Sequence, residues 1–214
     1  MGLAPVVLWE GCLKTAFDSA GGNPVWDNFT QAGWQLNVID AGKDSAEYVV
    51  KVWNGKDPNT GILGQGFSNM EDVKIITKTT PKESTSYPGN EDSMPSEWAN
   101  IVYDNTNDPV GGQWVCVHRP EFTVEHVGEE WADYALNENS ELVAAFKPIG
   151  AGAAVSIKAA GSTNYEDFTI FGDEDSLGIT EDMRYSLFRL KIVVPDNAIS
   201  GEYSLLTRIE YKFV

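Results

Sequence analysis

Period-two alternation of apolar and polar side chains runs through most of this chain, and it argues against a helical fold. From Tyr203 to Phe213, the residues Tyr203, Leu205, Thr207, Ile209, Tyr211 and Phe213 alternate with Ser204, Arg208, Glu210 and Lys212. Only Leu206 interrupts the polar row. Successive side chains of a strand point to opposite faces, so the spacing predicts a long half-buried strand with its odd positions in the core. Just upstream, Phe188, Leu190, Ile192 and Val194 alternate with Arg189 and Lys191, which predicts a second strand with even positions inward and the two cations outward. Residues 195–201, Pro-Asp-Asn-Ala-Ile-Ser-Gly, stop one strand and turn the chain, so the two strands are expected to be antiparallel neighbours or to form a sheet-to-sheet corner.

The same pattern recurs in shorter runs rich in Val, Ile, Thr and aromatics, each bounded by Gly, Asn, Asp or Pro. Strands are expected at Pro5–Trp9, Trp34–Ile39, Glu47–Trp53, Val73–Thr79, Trp114–His118, Glu121–His126, Leu142–Lys147, Ala153–Lys158 and Asp167–Phe171. Helix is scarce. Gly128–Asn139 is the best helical segment, with Trp131 and Tyr134 three apart and Glu129 and Glu130 in its first turn, and one or two turns are expected near Lys14–Ala20. Thr80–Asn107 carries Pro81, Pro88 and Pro95 and lacks alternation, so it reads as a long irregular insertion, anchored in its second half by Trp98, Ile101 and Tyr103. The fold expected is therefore all-β: one domain over residues 1–214, an antiparallel β-sandwich, immunoglobulin-like or jelly-roll-like, with one short helix and the insertion near 80–107.

Charge limits the partners. The 214 residues carry 15 Lys and Arg against 32 Asp and Glu, a net charge of −17. Nucleic acids and anionic membrane surfaces attract basic proteins, so neither is an expected partner. No run of apolar residues is long enough to span a bilayer as a helix. Residues 1–10 lack the basic stretch and apolar core of a signal peptide, so the chain is expected to stay where it is made or to have lost a leader. The charge is uneven. From Arg184 onward there are five basic residues, Arg184, Arg189, Lys191, Arg208 and Lys212, against three acids, while the rest of the chain has ten basic against 29 acidic. A balanced C-terminal segment on an acidic body suggests head-to-tail contact between copies, or else cations that protect a sheet surface or edge.

Catalytic chemistry has few residues to work with. His118 and His126 are the only histidines, and neither accompanies a nucleophile-elbow pattern. With Glu121 and Glu125 they compose a possible ligand set that matches no established spacing. Calcium takes six to eight oxygen ligands, and residues 172–178, Gly-Asp-Glu-Asp-Ser-Leu-Gly, offer Asp173 and Asp175 as calcium candidates. Leu177 and Arg184 stand where the helix–loop–helix calcium pattern needs oxygen ligands, so that motif is not met. Asp57-Pro58-Asn59-Thr60-Gly61 and residues 104–108 are similar oxygen-rich turns, more simply explained by local hydrogen bonding of Asp and Asn. Cys12 and Cys116 read as buried thiols or as one disulfide. Seven Trp are spread along the chain rather than grouped on one strand, which suits a core more than a sugar-stacking face. The apolar start, Leu3–Trp9, serves either as the first strand of the chain's own sheet or as an arm added to a neighbour's.

Residues 193–205, Val-Val-Pro-Asp-Asn-Ala-Ile-Ser-Gly-Glu-Tyr-Ser-Leu, resemble the penultimate-strand, turn and final-strand ending of immunoglobulin-like sandwich domains of phage virions and microbial surface proteins. The resemblance covers about twenty residues and implies a sandwich of the structural kind, with no catalytic residue to carry over. A non-enzymatic structural subunit is therefore expected, in a virion (capsid, decoration or tail) or a surface assembly, with copies of itself and other structural proteins as partners and no cofactor. The competing expectation is a secreted or cell-surface module that binds carbohydrate or calcium.

Overall fold

The computed structural model describes residues 2–21, 23–32, 36, 38–79, 92–93, 99–103, 117–118, 135–136, 142–143, 145–148, 155–162, 168–172, 178–192, 194–198 and 203–213. Within these the chain is all-β. Its strands are β1 (Val7–Leu13), β2 (Asp27–Asn28), β3 (Tyr48–Asn54), β4 (Met70–Thr79), β5 (Asp92–Ser93), β6 (Ala99–Tyr103), β7 (Val117–His118), β8 (Ala135–Leu136), β9 (Leu142–Val143), β10 (Ala145–Pro148), β11 (Val155–Ile157), β12 (Tyr185–Ile192) and β13 (Tyr203–Phe213). The helical pieces are short: α1 (Lys14–Ser19), α2 (Phe29–Ala32) and a 3-10 turn at Glu181–Arg184. No helix among the described residues is long and apolar enough to cross a membrane.

The first sheet has the order β10-β6-β12-β3-β1-β2 and the second the order β5-β13-β4-β11-β7, while β8 and β9 pair separately. Among these strands the pairings are antiparallel except that of β5 with β13. The strands β12 and β13 fall in different sheets, so the turn between them is a sheet-to-sheet corner, the second of the two arrangements expected. The apolar start joins the chain's own sheet. Val7 to Leu13 pair in register with Asn54 to Tyr48, and Leu3 bridges Phe67.

One hydrophobic cluster draws on both sheets. Val50, Val52, Phe188, Leu190 and Ile192 come from the first, and Met70, Val73, Ile75 and Ile157 from the second. Trp9 meets Phe188 edge to face, with ring centroids 6.4 Å apart. Gly11 lets the Phe29 ring lie on β1, because a Cβ there would stand 2.1 Å from a ring carbon. A second cluster, Leu8, Cys12, Phe17, Val49, Trp53, Tyr185 and Leu187, lies on the opposite face of the first sheet. Its presence explains why every residue of β12 is buried, whichever way its side chain points.

Several expectations are corrected. Arg189 and Lys191 do not face solvent: both are buried, and they pair with Glu47 and Asp44. The segment expected as helix, Gly128–Asn139, contains strand β8 at Ala135–Leu136, and its other residues lie outside those described. In Trp34–Ile39 the described residues Leu36, Val38 and Ile39 belong to no strand. Of Asp167–Phe171, the described residues 168–171 contribute a single bridge, Ile170 to Met70, in place of a strand, and Asp167 lies outside the described residues. Within Thr80–Asn107, Ala99–Tyr103 is an inner strand between β10 and β12 rather than irregular chain, and apart from β5 the remainder lies outside the described residues. Glu121–His126 lies outside them too. On β13 the alternation holds at Ile209 and Tyr211, which pack on the shared cluster, and ends at a bulge between Glu210 and Lys212, beyond which Phe213 is 55% exposed.

Candidate functional site

Ionisable and aromatic groups converge on the outer face of the first sheet, and strand register brings them there. Leu8, Trp53 and Tyr185 form one row across β1, β3 and β12, and Glu10, Lys51 and Leu187 form the next. Lys51 Nζ lies 4.3 Å from the Tyr185 ring centroid, 4.6 Å from that of Trp26 and 5.3 Å from that of Trp53. Rings present their negative faces to a cation, so the three make a box for the ammonium. Glu10, directly opposite Lys51, accepts hydrogen bonds from Lys56 Nζ at 2.7 Å and from Trp53 Nε1 at 2.7 Å. Lys56 Nζ also lies over the Trp53 ring, 4.3 Å from its centroid. Burial holds the Lys51 ammonium below its usual pKa, an effect that Glu10 opposes and Lys56 reinforces. Burial, with Asp27 next, pushes the Cys12 thiol up to about 11, against the opposing charge of Lys51. A thiol kept protonated is a poor nucleophile, and an amine enclosed by three rings has little room for a substrate. The box is already filled by the protein's own lysine.

A second constellation is centred on Arg184, which is completely buried. Its Nη2 donates to the carbonyl oxygens of Gly172 at 2.5 Å and Gly64 at 2.8 Å, and more weakly to that of Asn54 at 3.5 Å. Gly55 is required beside it. Its φ is +79°, and a Cβ would stand 2.6 Å from Arg184 Nη2. The guanidinium thereby ties the loop 54–68, the 3-10 turn and residue 172 together. Beside that loop is a cleft of about 280 Å³ lined by Val6, Ile62 and Phe67 among others.

The residues singled out from sequence have varied places. Asp173 and Asp175 lie outside the described residues, as do His126, Glu121, Glu125, Cys116 and residues 104–108. His118 is on β7, opposite Ser156. Asp57 Oδ1 accepts the backbone N–H groups of Asn59 and Thr60, each at 2.8 Å, and these bonds hold its carboxyl below the usual range. Its oxygen therefore builds a turn. No group of three or more His, Cys, Asp or Glu among the described residues is placed to hold a metal. Cys12 is a buried free thiol. Trp9, Trp26 and Trp53 are engaged with Phe188, with Phe17 and Lys51, and with Tyr185.

The balanced C-terminal segment is not a basic face. Arg184 is enclosed by carbonyls, Arg189 and Lys191 pair with acids of the same chain, Arg208 pairs with Glu210, and Lys212 pairs with Asp72 on β4. Arg184, Arg189 and Lys191 are buried and so add nothing to the surface, which leaves Arg208 and Lys212 as the exposed cations of the segment. The Glu10–Lys51 pair went unnoticed in the sequence because the two are 41 positions apart. Only the register of β1 on β3 sets them opposite each other. No family model, curated protein or solved structure matches the chain.

Proposed function

We propose that the chain is a β-sandwich, immunoglobulin-like or jelly-roll-like, that serves as a non-enzymatic structural subunit in a virion or a surface assembly and makes contacts with copies of itself. The observation that carries this is the outer edge of β13. Among the described residues, the pairing of β13 with another strand on that side is with β5, at Tyr203 and Ser204, and no described strand lies beside Arg208 to Phe213. An open sheet edge presents unpaired backbone donors and acceptors, and another chain can add to it. Further support comes from the interior, where Glu10, Lys51, Arg184, Arg189 and Lys191 are engaged in contacts that hold the strands together. The net charge of −17 speaks for protein partners rather than polyanions.

Sedimentation velocity over a wide range of concentration, combined with negative-stain electron microscopy, tests the reading. A sedimentation coefficient that rises with concentration, or a visible lattice, is the expected result. A single monomeric species at the highest concentration attainable would overturn it.

A further inference from the structure

We propose that two copies of the chain pair edge to edge through β13, antiparallel about a two-fold axis at Ile209, so that Arg208 of each lies opposite Glu210 of the other. This rests on the assembly reading above and names its surface and register.

The charges on the open stretch select the register. Ile209 and Tyr211 face the core, so Arg208, Glu210 and Lys212 point to the other side of the sheet, where all three are substantially exposed. With the axis perpendicular to the sheet, only registers that differ by two residues keep the core-facing row on one side. Centred at Ile209, the two strands bring four charges into a square of alternating sign, Arg208 and Glu210 along each strand and opposite charges across it. Centred at Arg208, the same edge would set Arg208 against Arg208. Centred at Glu210, it would set Glu210 against Glu210 and Arg208 against Lys212. Like charges directly opposite each other are destabilising, so both neighbouring registers are disfavoured and the middle one favoured. Lys212 is drawn away toward β4 by Asp72, and Glu210 also faces Lys74 there, so the acid is not spent on Arg208 alone.

The test uses the full chain with Arg208→Glu, with Glu210→Arg, and with the two variants mixed in equal amounts. Either variant alone sets like charges across both contacts, and its self-association is expected to weaken by about tenfold. In the mixture, one copy carries only acids at the two positions and the other only bases, so both contacts become complementary and a mixed dimer forms at the wild-type concentration or below. Thermal unfolding of each variant, at exposed positions, is expected to match wild type. Should wild type associate while both variants associate equally well, or should the mixture remain dissociated, the β13 register is overturned and the assembly reading stands. Should wild type itself be monomeric, both fall.

Discussion

Arg184 shows how much one side chain can hold. A buried guanidinium costs a great deal to desolvate, and here its Nη2 is met by carbonyls of Gly64 and Gly172 that belong to separate loops. Replacing it with Met keeps the apolar bulk but strands those acceptors in the interior. Arg184→Met is expected to lower unfolding stability by about 2–4 kcal/mol, read as a lower urea midpoint with an unchanged slope. Cys12 makes a different prediction. Unfolded, its thiol ionises near 9.0, whereas in the fold it stays protonated up to about 11. Between those values the native state binds more protons, so this thiol makes stability fall as pH rises from 9 to 11. Lys51 has the opposite sign. Its pKa in the fold is below 10.5, so the unfolded state holds the proton longer and stability rises with pH up to that value. Chemical denaturation across this range is expected to show that Cys12→Ala removes the falling component and Lys51→Met the rising one.

At the level of elements, β12 is the strand on which the two hydrophobic clusters depend. Its even positions, Phe188, Leu190 and Ile192, enter the cluster shared by the sheets, and its odd positions Tyr185 and Leu187 enter the outer one. Phe188→Ala is expected to cost about 3–5 kcal/mol, because the large ring leaves a cavity between strands that cannot collapse onto it. Tryptophan fluorescence and far-UV circular dichroism are expected to report one coincident, lowered transition, since the shared cluster links both sheets. The even alternation of this strand was legible in sequence because apolar residues at period two mark a buried face. The burial of its other face was not. Arg189 and Lys191 look like solvent-facing residues until Glu47 and Asp44 are brought beside them from more than a hundred residues away. The expected helix at Gly128–Asn139 failed at Ala135 and Leu136 for a related reason. Two residues pairing with β9 take their conformation from a partner strand, which local spacing does not contain.

At the scale of the whole molecule, the chain passes from one sheet to the other between β12 and β13, and beyond the short parallel pairing with β5 no strand among the described residues lies on the outer side of β13. That edge, rather than the net charge, is what the assembly experiments address. The chain by itself determined the all-β class, the inward row of β12, the inward Ile209 and Tyr211 of β13, and the strand character of residues 48–53, 73–79 and 155–157, because alternation is a property of neighbouring residues. Tertiary structure alone decided which strands are neighbours, which cations are buried, that Lys51 fills an aromatic box opposite Glu10, and which strand edge has no neighbour among the described residues. These depend on register and on contacts between distant segments, and a one-residue change of register would turn every such side chain to the other face.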